Sequence, residues 1–155
     1  MGREIERKFL VKGGFEKAAL GCVHVVQGYL SSDPQRIVRV RLKGEKGYLT
    51  VKGPGALNRF EWEKEISADE AEALLSLAEP GIVDKTRYLV PAGDGRHTWE
   101  VDVFHGDNEG LVVAEIELSS EDDPFDRPDW LGEEVTGAPR YYNSSLRAHP
   151  YKEWK

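Results

Sequence analysis

The sequence predicts a β-rich α+β domain of antiparallel strands, and three observations carry that prediction. Apolar and polar residues alternate with period two, the mark of a strand whose two faces meet different surroundings. The alternation recurs in eight separate segments instead of one long run. Clusters of Gly, Pro, Asp and Asn stand between the segments, where chain reversals need them.

The eight segments are residues 4–11 (EIERKFLV), 24–30 (HVVQGYL), 36–43 (RIVRVRLK), 47–52 (GYLTVK), 59–66 (RFEWEKEI), 82–90 (IVDKTRYLV), 97–104 (HTWEVDVF) and 110–118 (GLVVAEIEL). Between the fifth and sixth, Ser67-Ala68-Asp69-Glu70 reads as a capping box that opens a helix. Ala71, Leu74, Leu75 and Ala78 fall on one face of that helix, and Pro80-Gly81 stops it. A short helix is expected over 14–20, and helical pieces are expected around Trp130-Leu131 and over 140–148. Glu121-Asp122-Asp123-Pro124 reads as a solvated loop. The 155 residues suit one domain, 1–155, and no linker composition divides them.

Charge narrows the function classes. Charged residues make up 32% of the chain, and the 28 acids against 21 bases leave a net charge of −7. That balance argues against a general nucleic-acid surface, which needs a basic footprint, but it leaves room for a local basic pocket. The single cysteine, Cys22, excludes an internal disulfide framework and a thiolate zinc cluster. Residues 3–8 carry alternating charges where a signal peptide needs an apolar run, and no apolar stretch of membrane-spanning length exists. A cytoplasmic protein with no membrane partner is expected. The four histidines, His24, His97, His105 and His149, show no metal-ligand spacing, and no HExxH, Walker A, GxGxxG or GxSxG motif occurs.

Splitting each strand into its two faces exposes an unusual feature. Glu4, Glu6 and Lys8 share a face in the first strand; Arg39, Arg41 and Lys43 share one in the third. Thr50 and Lys52 follow in the fourth, then Arg59, Glu61, Glu63 and Glu65 in the fifth. Lys85 and Arg87, Glu100 and Asp102, and Glu115 and Glu117 complete the set. A sheet with one wet face also alternates, but its wet face usually mixes Thr, Ser and Gln with its charges. Here long ionisable side chains fill the rows, each mostly of one sign.

If the rows converge inside a closed barrel, the apolar rows point outward and need covering by helices. Two like charges ~4 Å apart cost about 4 kcal/mol at an effective dielectric near 20, and a domain is stable by only ~5–15 kcal/mol. A basic cluster therefore calls for an anion and an acidic cluster for a cation. A metal-bound oligophosphate satisfies both: Arg forks and Lys ammoniums hold phosphate oxygens, and carboxylates hold Mg²⁺ or Mn²⁺.

The same residues resemble a known family. Glu4-Ile5-Glu6-Arg7-Lys8 matches the E-x-E-x-K opening of the CYTH superfamily, the triphosphate tunnel metalloenzymes. Arg39-Val40-Arg41, Thr50-Val51-Lys52, Glu61-Trp62-Glu63, Lys85-Thr86-Arg87-Tyr88, Glu100-Val101-Asp102 and Glu115-Ile116-Glu117 resemble the later motifs in order, across residues 4–117. The resemblance implies an eight-stranded antiparallel closed barrel around a charged tunnel, a linear triphosphate substrate and a divalent metal. Members include inorganic triphosphatases, thiamine triphosphatases and class IV adenylate cyclases, and the opening is most similar to that of the small bacterial members. Lys43 stands where the family's R-x-R-x-R pattern has its last Arg, and a point charge cannot reproduce a bidentate fork.

Roles follow from the rows and the resemblance together. Glu4, Glu6, Glu63, Asp102, Glu115 and Glu117 are the candidate metal ligands, for Mg²⁺ or Mn²⁺. Lys8, Arg39, Arg41, Lys43, Lys52, Arg59 and Arg87 are the candidate phosphate contacts. Lys85 is the candidate water-activating base, its pKa expected to fall through crowding by Arg87 and other cations. Tyr29 is a candidate gating or orienting hydroxyl at the barrel mouth. The expected activity is metal-dependent hydrolysis of inorganic triphosphate, with slower attack on nucleoside triphosphates, and a class IV-like adenylate cyclase, a thiamine triphosphatase or a non-catalytic oligophosphate binder are the alternatives. Outer apolar rows left uncovered would support a homodimer.

Overall fold

The structure, a computed structural model, describes residues 2–154. Its strands are β1 (Gly2–Val11), β2 (Gly21–Ser31), β3 (Ile37–Lys43), β4 (Lys46–Lys52), β5 (Asn58–Ile66), β6 (Val83–Pro91), β7 (Thr98–Phe104), β8 (Val112–Glu117) and β9 (Leu131–Glu134). The first eight match the eight alternating segments. They pair in the order β5-β4-β3-β2-β6-β7-β8-β1, and β1 pairs back onto β5 to close the barrel. Every pairing is antiparallel.

The ninth strand corrects the helical expectation at Trp130-Leu131. β5 pairs with β1 only from Gly2 to Ile5, so the second half of β1 needs another partner. β9 supplies it, with Phe9 opposite Glu134 and Val11 opposite Leu131. The flanking bonds Lys12 N–H to Trp130 O (2.7 Å) and Val135 N–H to Lys8 O (2.8 Å) extend the pairing. A buried strand edge that would otherwise lack partners overrides a weak local preference.

The helical expectations elsewhere hold. A 3₁₀ turn spans Phe15–Ala18, and α1 spans Ala68–Leu75. Ser67 caps α1 reciprocally: its Oγ accepts from Glu70 N–H at 3.0 Å, and Glu70 Oε1 accepts from Ser67 N–H at 2.9 Å. In the tail, a 3₁₀ turn at Pro139–Tyr141 leads into α2 (Asn143–Leu146). No described helix is long and apolar enough to cross a membrane.

Because the charged rows point inward, the apolar core lies outside the barrel wall. α1 covers the β2–β4 side and lies so close that a Cβ on Gly47 would stand 2.7 Å from the Ser67 carbonyl oxygen. The β1–β7–β8 side is covered differently from the expected helices. There the loop between β8 and β9 lays Phe125 and Trp130 against Phe9 and Trp99, edge to face at 5.5–6.0 Å. A third cluster closes one end of the barrel. The inward rows of β6, β7 and β8 turn apolar at Val83, Phe104 and Val113, and these receive the fully buried Leu146 of α2. Covered in this way, the outer rows leave Leu20, Phe60, Leu77, Ile82 and Leu89 as the exposed large apolar side chains among the described residues.

The acidic run at 121–124 is not wholly solvated, because Asp123 is buried in an ionic clamp. His97 Nδ1 hydrogen-bonds Asp94 Oδ2 at 2.5 Å, and its Nε2 hydrogen-bonds Asp123 Oδ2 at 2.9 Å. Asp123 also accepts from the Arg96 guanidinium and from Ser119. With a carboxylate on each ring nitrogen, the imidazolium is the favoured form, and the His97 pKa is raised. The clamp fastens the aromatic-bearing loop to the β6–β7 turn.

Hydrogen bonds from His97 and from neighbouring backbone hold Asp94 down at about 2. The clamp is therefore complete above the ordinary carboxylate range and fades as pH rises through the raised His97 pKa. His97→Ala should lower Tm by about 3–8 °C at pH 5.5, and the gap from wild type should narrow by pH 8.5, as read by thermal melts across pH.

Candidate active site

The inward rows of all eight barrel strands line one cavity of about 800 Å³. β1 contributes Glu4, Glu6 and Lys8; β3 contributes Arg39, Arg41 and Lys43; β5 contributes Arg59, Glu61 and Glu63. Tyr29, Lys52, Lys85, Arg87, Glu100, Glu115 and Glu117 come from the remaining strands. The tail adds Tyr142, Asn143, Arg147 and His149, so α2 and its flanks form part of the wall. Nine of the lining side chains are Lys or Arg and seven are Glu. In a chain of net charge −7, the cavity is a local reversal of sign.

The cations are tied back to the wall by carboxylates. Lys52 Nζ donates to both oxygens of Glu4, at 2.9 and 3.0 Å. Burial alone would raise the Glu4 pKa, but Lys52, the hydrogen bond with Glu61 and Arg59 together bring it to about 2. Arg41 donates to Glu63 Oε1 at 2.9 Å, and the buried Thr50 hydroxyl donates to the same oxygen at 2.6 Å. Arg39 is held less firmly, at 3.8 Å from Glu63 and 3.3 Å from Thr50 Oγ1. The Nε atoms of Arg39 and Arg41 are buried without a hydrogen-bond partner. Burial, then the neighbouring Arg39 and Arg87, lowers the Arg41 pKa to about 10. These guanidiniums are crowded and under-satisfied, the state an incoming anion relieves.

Asp102 is placed differently from the expected metal ligand. It is buried behind the cavity wall, with Oδ1 accepting from Arg87 Nε at 2.8 Å. Its Oδ2 accepts from Arg87 Nη2 at 2.9 Å and from Lys85 Nζ at 2.8 Å. Both oxygens are committed, so the geometry makes it a support for the two cations. Lys85 also donates to Asn143 Oδ1 of α2, at 3.1 Å. Its pKa falls to about 8, chiefly through burial; Asp102 opposes the fall and Arg87 adds to it. The direction is the expected one, but desolvation is the main cause and cationic crowding a lesser one.

The remaining carboxylates gather where β1 meets β8, with Glu6 opposite Glu117 and Lys8 opposite Glu115. Burial and the adjacent Glu115 push the Glu6 pKa well above its ordinary value. Glu115 goes the other way, since Lys8, the Glu6 hydrogen bond and Arg87 overcome its burial. Glu117 is raised by burial and by Glu4 and Glu100. Glu61 rises to about 7 through burial and its hydrogen bond with Glu4.

Among the described residues no three His, Cys, Asp or Glu side chains converge tightly enough to hold a metal ion unaided. The donor chemistry of Glu6, Glu115 and Glu117 nevertheless fits a hard divalent cation. Such ions, Mg²⁺ above all, commonly take one or two carboxylates and complete their shell with substrate phosphate oxygens and water. The Glu115 carboxylate raises the proton affinity of Glu6, and a cation between the two relieves that repulsion.

All the expected site residues except Asp102 line the cavity. Glu61 and Glu100 belong to it as well, and the alternation already placed them in the right rows. Arg147, Asn143, Tyr142 and His149 carry no comparable signal, because a short irregular tail has no periodic face to read.

The profile of the CYTH domain matches residues 2–145. The chain belongs to the CYTH family. A protein of Acetivibrio thermocellus named inorganic triphosphatase is 50% identical over 157 aligned positions, covering 100% of this chain and 99% of its own. One of Nitrosomonas europaea with the same name is 41% identical, covering 92% of this chain and 95% of its own. A solved structure described as that of an inorganic triphosphatase superposes with a TM-score of 0.67 at 38% identity, over 92% of this chain and 96% of that one.

For this CYTH chain, Arg41→Met removes a desolvated charge that repels Arg39 and Arg87. Because it also strips Glu63 of its 2.9 Å ion-pair partner, the Tm should fall by about 2–6 °C in melts, and calorimetry should show triphosphate binding weakened about 10–100-fold.

Proposed function

We propose that this protein is a divalent-metal-dependent inorganic triphosphatase, hydrolysing triphosphate to diphosphate and orthophosphate inside its barrel. The observation that carries the reading is the cavity itself: nine cations and seven carboxylates facing one space inside the barrel. The names of the 50% and 41% identical relatives support the same substrate.

Lys8, Arg39, Arg41, Lys52 and Arg87 hold the phosphate oxygens, with Arg59 and Lys43 nearer the rims. Their fixed positions offset the charge that builds on the leaving diphosphate. Glu6, Glu115 and Glu117 would hold the cation, while Glu4 and Glu63 are engaged by Lys52 and Arg41. When bound, Mg²⁺ or Mn²⁺ supplies charge neutralisation and polarisation at the phosphoryl oxygens. Lys85, partly neutral near pH 8, accepts a proton from the attacking water as the terminal P–O bridge breaks. Asp102 and Asn143 keep Nζ in place, and Tyr29 donates its hydroxyl to a phosphoryl oxygen.

Purified protein with Mg²⁺ or Mn²⁺ should release orthophosphate and diphosphate from inorganic triphosphate, and chelator should stop it. Cyclic AMP and diphosphate from ATP would move the assignment to a cyclase; tight triphosphate binding with no product would make the protein an oligophosphate binder.

Two variants test the assigned roles. The rate should rise with pH to a plateau above about 8, because only neutral Lys85 accepts a proton. Lys85→Met should lose about 10²–10⁴-fold in kcat together with that limb, and full turnover would rule out the base role. Glu117→Gln should abolish turnover while leaving the melting curve cooperative.

A further inference from the structure

The second strand has no charged row, yet it carries a polar pair on its inner face. Gln27 is fully buried, opposite Arg41 on β3 and Val83 on β6, and it does not itself reach the cavity. Its Nε2 donates to Tyr29 Oη at 3.1 Å, while its Oε1 has no hydrogen-bond partner among the described residues. A half-satisfied amide deep in a barrel wall is less stable than Met or Leu of similar size. The one bond it makes is therefore the reason to look for in its presence.

That bond restricts what Tyr29 can do. Tyr29 lines the cavity at 3% exposure, and burial keeps its hydroxyl neutral. The Gln27 N–H occupies a lone pair of Oη, so the phenolic hydrogen must point elsewhere. No protein acceptor among the described residues takes it, and the charges felt by the ring are those of Arg39, Lys8 and Arg41. A donor among cations needs an acceptor brought by a ligand.

The backbone beneath the pair is held rigidly. A Cβ on Gly28 would stand 2.9 Å from both Ala78 Cβ and Ile82 Cδ1, so the segment after α1 presses on β2 from outside. Glu79 N–H donates to the Tyr29 carbonyl at 2.8 Å, and the β2–β3 register shifts between Tyr29 and Ser31. The strand cannot slide to restore a lost side-chain bond.

We propose that Gln27 is a positioning residue: by donating to Tyr29 Oη, it commits the Tyr29 hydroxyl hydrogen to a phosphoryl oxygen of the bound triphosphate. The assignment rests on the triphosphatase reading and extends it to a residue outside the cavity wall. Gln27 touches no substrate and acts only through Tyr29.

The test is a double-mutant cycle on wild type, Gln27→Met, Tyr29→Phe and the double variant, reading kcat, KM and Tm with inorganic triphosphate and Mg²⁺. Tyr29→Phe should lose about 10–100-fold in kcat/KM, and Gln27→Met about 5–30-fold with a preserved cooperative melt. The double variant should fall within about twofold of Tyr29→Phe, since Gln27 has nothing left to aim. Losses that multiply, or a Gln27→Met enzyme equal to wild type, overturn the assignment. Gln27→Glu gives a second readout: its carboxylate accepts the phenolic hydrogen and turns it from the cavity, so wild-type turnover in that variant also overturns it. If wild type itself releases no orthophosphate, the triphosphatase reading fails separately. The cycle is then read on triphosphate affinity by calorimetry, where non-additive losses sustain the Gln27–Tyr29 coupling and additive ones refute it.

Discussion

The rest of the structure depends on burying many ionised groups in one enclosed space. Seven glutamates and nine basic side chains face the cavity, and such groups are tolerable only when each meets an opposite charge or a ligand. The antiparallel barrel meets this condition because neighbouring strands place rows of unlike character side by side. Arg87 shows the result, bracketed by Asp102 at 2.8 Å, Glu115 at 3.1 Å and Glu100 at 3.2 Å. Lys52 is held by Glu4 in the same manner.

An ionic interior forces the apolar core outside, so a small barrel that usually fills itself with Val and Leu here needs outer cover. α1 provides it over β2–β4, and the aromatic loop ahead of β9 provides it over β1, β7 and β8. The Asp94–His97–Asp123 clamp secures that loop. The tail closes one end of the barrel with Leu146 while delivering Asn143 to Lys85. Stability and function thus share the same covering segments.

The network is incomplete in ways that point to its use. The buried Nε atoms of Arg39 and Arg41 have no hydrogen-bond partner among the described residues, and Glu6 and Glu115 crowd each other where β1 meets β8. Under the proposed reading a metal-bound triphosphate would neutralise both imbalances at once, so one ligand would favour the other. Lys85 is fully buried, which lowers its pKa to about 8, and Asp102 at 2.8 Å holds it in place.

By itself the sequence determined the eight strands, their inner and outer faces and most of the cavity lining. Period-two alternation is local chemistry, and a face assigned at Arg39 also holds at Arg41 and Lys43. Tertiary structure alone decided what no period encodes. Asp102 shares its face with Glu100, yet it lies beneath two cations instead of at the surface, because depth within a wall depends on neighbouring strands. β9 formed because β1 outran β5, a vacancy visible only once the barrel closed. Asn143 and Arg147 joined the site through contacts 58 and 115 residues away in sequence, where only folding sets the distance.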